Sequence, residues 1–98
     1  MKYGGCVYIL SNRSHSVLYI GVTSDLPARI TEHRNKKHPF SFTAKYNCDK
    51  LLFYQTFTRI EDAIAREKQI KKWKREWKEK LITEMNPEWI DLYDSLWE

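Results

Sequence analysis

Two tyrosines, Tyr8 and Tyr19, each stand inside a short run of β-branched and aromatic residues. An arginine and a histidine, Arg29 and His33, follow four residues apart, and Glu67 falls later inside an apolar stripe. Together these are the groups that phosphodiester hydrolysis uses. A carboxylate oxygen holds a hard cation such as Mg2+. The cation and a guanidinium stabilise the charge that develops on the phosphate. A phenolate or imidazole takes a proton from the attacking water.

Each residue also has a plainer reading. Glu67 occupies a place where the stripe Ile60, Ala63, Ile64, Ile70 calls for an apolar residue. Carboxylates are rarely buried without a partner. Either a bound cation or a paired basic side chain answers that, and the pattern alone does not choose. Arg29 and His33 share one helical face, which a solvated basic surface explains as well as a site does. Tyrosine is a favoured strand residue, so Tyr8 and Tyr19 singly suggest only sheet packing.

The elements that position these residues follow from local pattern. Cys6–Leu10 and Val17–Val22 read as strands, and the short polar segment between them suggests an antiparallel hairpin. Thr23, Ser24 and Asp25 offer helix N-caps and Pro27 suits a first turn, so a helix is expected from Leu26 to about Asn35. Residues 35–47 are basic, aromatic and irregular and read as an exposed loop. Leu51–Phe57 is strongly apolar, which predicts a third strand at the centre of the sheet. Thr58 and Glu61 match a capping box. The helical stripe beyond them continues through Trp73, Trp77 and Leu81, as one long helix or two with a bend, and Met85-Asn86-Pro87 ends it. The order β-β-α-β-α-α predicts an α+β sandwich: a small three-stranded antiparallel or mixed sheet flanked by helices. One domain over 1–98 is expected, with a core at 1–85 and an aromatic, acidic tail at 86–98 that packs back on it.

Residues 1–80 carry all 17 Lys and Arg but eight of the 13 acids, a net +9. Residues 81–98 carry the other five acids and no Lys or Arg, a net −5. A basic body suits a polyanionic partner. The seven basic residues from Lys68 to Lys80 suit either a solvated face or a ridge that binds phosphates. The two cysteines, Cys6 and Cys48, lack metal-ligand spacing and read as reduced packing residues. No apolar run is long enough for a bilayer span, and the first residues lack the pattern of a signal peptide. A cytosolic protein is expected, with no membrane partner.

At the residues singled out above, the chain resembles the GIY-YIG nuclease superfamily. Its first motif stands here as Val7-Tyr8-Ile9 and its second as Tyr19-Ile20-Gly21, with about eleven residues between the tyrosines. The segment LPARITEH, Leu26 to His33, is similar to the family helix whose arginine lies about ten residues beyond the second tyrosine. The segment AREKQIKKWKREWK, from Ala65, is similar to the helix that carries a metal-binding glutamate. The resemblance is nearest to small standalone bacterial members. It implies that Tyr8 and Tyr19 are paired active-site phenols, that Arg29 contacts phosphate, that His33 assists the base, and that Glu67 is the single metal ligand. Three features depart from the family pattern. The first motif is VYI. Glu79 stands near the place of a family asparagine, with Asn86 the nearest asparagine. Within 1–98 no separate DNA-recognition domain is expected.

The leading expectation is a Mg2+-dependent (or Mn2+-dependent) DNA endonuclease or nickase, structure-selective or nonspecific, with Lys36, Lys37, Lys71, Lys74 and Arg75 tracking the DNA backbone. The alternative is a nucleic-acid-binding module that is catalytically silent or needs a partner protein. Phe40, Phe42 and Tyr46 among lysines would then stack unpaired bases. A third reading makes the aromatic tail a surface for a homodimer or another protein.

Overall fold

Two apolar clusters lie on opposite faces of one small sheet, and each belongs to a different set of helices. The computed structural model describes residues 3–97; Met1, Lys2 and Glu98, the last acid of the expected tail, lie outside the described residues. Strands β1 (Gly5–Ser11), β2 (Leu18–Thr23) and β3 (Lys50–Phe57) form a wholly antiparallel sheet in the order β2-β1-β3. Alternation along β1 divides the core. Cys6, Tyr8 and Leu10 face Leu26 and Ile30 of helix α1 (Leu26–Arg34). Val7 and Ile9 face the opposite layer, where Ile70 of α3 (Ile60–Lys71) and Ile82 of α4 (Arg75–Met85) complete the packing. The fold is an α+β sandwich, as the element order predicts.

The centre of the sheet is β1 and not the apolar third strand. Every residue of β1 is buried, whereas β3 is buried only at Leu51–Phe53. A bulge in the β1–β3 pairing explains that apolar run. Leu10 pairs with Leu51 and Ile9 with Phe53, so Leu52 is the extra residue. Leu51 then turns to the α1 layer, while Leu52 and Phe53 both turn to the α3–α4 layer. A locally continuous apolar run therefore reflects a bulge at an edge, not a central position.

Asp25 caps α1, its carboxylate accepting from the Ala28 N–H at 3.2 Å, and Pro27 sits in the first turn. The expected capping box before α3 does not form. Arg59 is the N-cap, no side chain caps it, and Glu61 instead pairs with Arg59 at 3.4 Å. The helical stripe breaks at residues 72–74 into α3 and α4. The expected loop contains a short helix, α2 (Phe42–Lys45), whose N-cap Ser41 accepts from the Ala44 N–H.

After α4 the chain returns to the outer edge of β3. Asn86 is buried: its side chain donates to the carbonyls of Leu52 and Ile90, and its amide oxygen accepts from the Ile90 N–H. Leu92 N–H donates to Leu51 O at 2.8 Å, and Leu51 N–H donates to Asp91 Oδ1 at 3.1 Å. Arg34 pairs with Asp91 at 2.7 Å and lies over the Tyr93 ring. Cys6 and Cys48 are buried free thiols, and burial pushes the Cys6 thiol up to about 11. Among the described residues no helix is long and apolar enough to cross a membrane.

Candidate active site

Tyr8 lies at the centre of the sheet, fully buried, with its ring running across β2. Its cross-strand partner is Gly21. A Cβ at position 21 would collide with the Tyr8 ring and hydroxyl, so only glycine lets the phenol cross the neighbouring strand. The crossing delivers the hydroxyl to α1, where Tyr8 Oη lies 3.0 Å from His33 Nε2. Tyr19, opposite Leu10 in the register, faces the same layer. The centroids of Tyr8, Tyr19 and His33 form a triangle with sides of 6.3, 5.8 and 5.7 Å.

Beside this triangle is a pocket of about 210 Å3, lined among others by Tyr19, Arg29, His33, Lys36 and His38. Arg29 projects into it from the helical turn before His33, and Glu32 holds the guanidinium at 3.3 Å. The second ring nitrogen of His33, Nδ1, lies 2.9 Å from Thr43 Oγ1. Burial favours the neutral form of both proton-bearing groups. Burial raises the Tyr8 hydroxyl far above the usual phenol range, the Tyr19 hydroxyl adds to this, and Arg29 offsets part of it. Burial lowers His33 below its usual value and Arg29 lowers it further, against Glu32. A neutral imidazole beside a neutral phenol, next to a cationic pocket, can bind an anion and pass a proton.

Glu67 is elsewhere. It projects from α3, which packs on the opposite face of the sheet from Tyr8. Its side chain retains 14% of its accessible surface, and its carboxylate pairs with Lys71 Nζ at 3.3 Å. The lysine pairing that the sequence left open is therefore present. Among the described residues no group of three or more His, Cys, Asp or Glu stands together. A Mg2+ or Mn2+ ion on Glu67, the ligand the resemblance implies, would have no cluster of three such side chains around it. That donor fits Mg2+, which keeps several waters and takes phosphate oxygens, and the Lys71 ammonium now holds the cationic place.

The model of the GIY-YIG catalytic domain matches residues 4–80. The chain belongs to the GIY-YIG family. It is 35% identical over 78 residues to a UPF0213 protein of Staphylococcus epidermidis, covering 80% of this chain and 93% of that one. It is 35% identical over 82 residues to a UPF0213 protein of Syntrophus aciditrophicus, covering 84% and 92%. The solution NMR structure of a UPF0213 protein from Bacillus halodurans has a TM-score of 0.51 at 30% identity, covering 81% of this chain and 82% of that one. These relatives place the chain in the UPF0213 group of single GIY-YIG domains.

In this GIY-YIG domain the basic residues separate by role. Lys36 lines the pocket and donates to Asn47 Oδ1 at 2.7 Å, while Lys37 pairs with Glu32 at 3.0 Å. Lys71 holds Glu67. Lys74 is exposed at the start of α4 and has no ion pair within 4.0 Å among the described residues. Arg75 is engaged structurally, donating to the carbonyls of His15 and Ser16 and pairing with Glu79 at 2.8 Å. Glu79 thus belongs to a surface ion pair, and Asn86 to the seam between β3 and the tail. Sequence reasoning overlooked Thr43 and Ser41. The signal available was Ser41 itself, a capping residue before a short run of helix formers.

Proposed function

We propose that this GIY-YIG domain binds nucleic acid by seating a backbone phosphate in the pocket of Tyr19, Arg29 and His33, and that by itself it binds without cutting. The pocket carries the reading: a guanidinium, Lys36 and two imidazoles surround a space of about 210 Å3, on a body of net charge +9. Lys and Arg side chains neutralise phosphates and release counterions, which supplies affinity without sequence readout. Phe42 stacks on Tyr19 at 6.0 Å and Tyr46 packs on Phe42 at 4.7 Å, extending the pocket as an aromatic row suited to unpaired bases. Glu67 pairs with Lys71 and is not among the pocket's lining residues, which supports binding ahead of metal-dependent cutting.

The second reading is a Mg2+- or Mn2+-dependent endonuclease or nickase, and the Tyr8–His33 hydrogen bond favours it, since a binding module has no use for it. A bound metal would supply charge stabilisation at the phosphate. Arg29 would hold the phosphate, and one tyrosine with His33 would take the proton of the attacking water in line with the leaving oxygen.

Binding to fluorescent duplex, flapped and single-stranded DNA is the test, run beside nicking of supercoiled plasmid with Mg2+, Mn2+ or chelator. Micromolar binding that Arg29→Ala weakens, without nicking, is the expected result. Metal-dependent nicking that disappears in Glu67→Gln establishes the second reading instead. Neither binding nor nicking removes both.

A further inference from the structure

Tyr8 is completely buried, and among the described residues its hydroxyl hydrogen-bonds His33 Nε2, with the Arg29 guanidinium also beside it. No buried side-chain nitrogen or oxygen among the described residues lacks a partner. A phenol has one proton to donate, and a buried hydroxyl proton without an acceptor is costly. The charged neighbour on this side, Arg29, is a donor only. The Tyr8 proton therefore has a single acceptor, and Nε2 must present its lone pair.

That assignment fixes the rest of a chain. A neutral imidazole with a bare Nε2 carries its proton on Nδ1. Thr43 Oγ1, 2.9 Å away and buried, accepts it. The Thr43 hydroxyl then donates to Ser41 Oγ at 3.2 Å, which also accepts from the Ala44 N–H that starts α2. The cap of a four-residue helix thus orients a series of hydrogen bonds that ends on a phenol at the centre of the sheet. Tyr19 has no comparable connection: its hydroxyl makes no hydrogen bond within the described residues, and its ring packs on His33 and Phe42.

We propose that Thr43, backed by Ser41, is a positioning residue that holds His33 in the Nδ1–H tautomer, so that Tyr8 and not Tyr19 is the phenol able to pass a proton to the imidazole. The proposal rests on the phosphate-pocket reading and deepens it by saying which nitrogen of the pocket-lining His33 faces Tyr8 and which faces Thr43. The loop between α1 and α2 then has a second task besides shaping the pocket, which is to select one of two imidazole tautomers.

The tautomer is readable without any cleavage, so its failure is separate from failure of the functional reading. The measurement is long-range proton–nitrogen correlation NMR on protein with 15N-labelled histidine. His15→Gln and His38→Gln identify the signals of the other two rings. In the wild type His33 is expected to carry its proton on Nδ1. Thr43→Val, which keeps the shape and removes the acceptor, is expected to lose that preference, and Thr43→Ser to retain it. The amide signals of β1 and β2 report whether the fold is intact. A wild-type His33 protonated on Nε2 overturns the proposal, and so does an unchanged tautomer in folded Thr43→Val. Should the valine variant not fold, wild type and Thr43→Ser decide the matter, because Nε2 protonation in either refutes it.

Discussion

Gly21 on β2 lies directly beneath the ring of Tyr8 on β1, in the space a Cβ would need. The glycine of the second family motif is thus explained by the tyrosine of the first. Gly21→Ala is expected to push the phenol off His33 and to lower unfolding stability by about 1–3 kcal/mol, the usual cost of overpacking a core. Urea denaturation measures the loss, and an unchanged midpoint would show that the ring moves aside freely.

Tyr8→Phe removes the hydroxyl that His33 receives. The expected cost at neutral pH is about 1 kcal/mol, typical of one buried hydrogen bond. The alkaline limb adds a sign. Tyr8 is raised in the folded state, so its contribution is complete below the unfolded phenol value of about 10 and declines as pH rises above it. Wild type should lose stability above about pH 10 more steeply than Tyr8→Phe. Parallel curves would contradict the burial of an un-ionised phenol.

His33 runs in the opposite direction. Its folded value is lowered, chiefly by burial, so the unfolded chain takes up a proton first as pH falls. Stability from this group is full above the unfolded value of about 6.5 and declines as pH drops through the folded value. Thermal unfolding between pH 7.5 and 5.5 should therefore show a fall in wild type that is smaller in His33→Gln. An equal fall in both would assign it to other groups.

Nucleic-acid affinity should fall with salt in proportion to the phosphates contacted. Arg29→Ala and Lys36→Ala are each expected to reduce the slope of log affinity against log salt by about 1. Arg75→Ala should leave the slope nearly unchanged, because its guanidinium serves the carbonyls of His15 and Ser16. A full unit lost in Arg75→Ala would transfer it to the binding surface.

Lys71→Ala leaves the Glu67 carboxylate without its present cation. Mn2+ broadening of amide signals around Glu67 should then appear at lower metal concentration than in wild type, and not at all in Glu67→Gln. Identical titrations for wild type and Lys71→Ala would mean that the ion pair does not compete with metal.

What local pattern could reveal was local. Asp25 and Pro27 announce α1 because a cap and a first-turn proline act within a few residues. The strands bearing Tyr8 and Tyr19 are legible for the same reason. The place of β3 is not, because its bulge at Leu52 and the pairing of Leu51 with Leu92 depend on a partner about forty residues away. Glu67 illustrates a different limit. Its spacing shows that a carboxylate faces inward, and only the position of the Lys71 side chain shows what accompanies it. Thr43 was invisible as a site residue because its significance comes from His33, and nothing in residues 35–47 indicates which imidazole atom a threonine will meet.

The return of residues 86–97 to β3 and α1 also sets an order of events during synthesis. Arg34, one residue beyond His33, takes its partners from Asp91 and Tyr93, and Thr31 meets the Tyr93 hydroxyl at 2.7 Å. A chain emerging from the ribosome makes both tyrosine strands and α1 early. It cannot secure the last turn of α1 until these distant residues have also emerged. The last turn of α1 is thus secured late, and a nascent chain stalled at α4 holds the sheet of a GIY-YIG domain with its first helix not yet anchored.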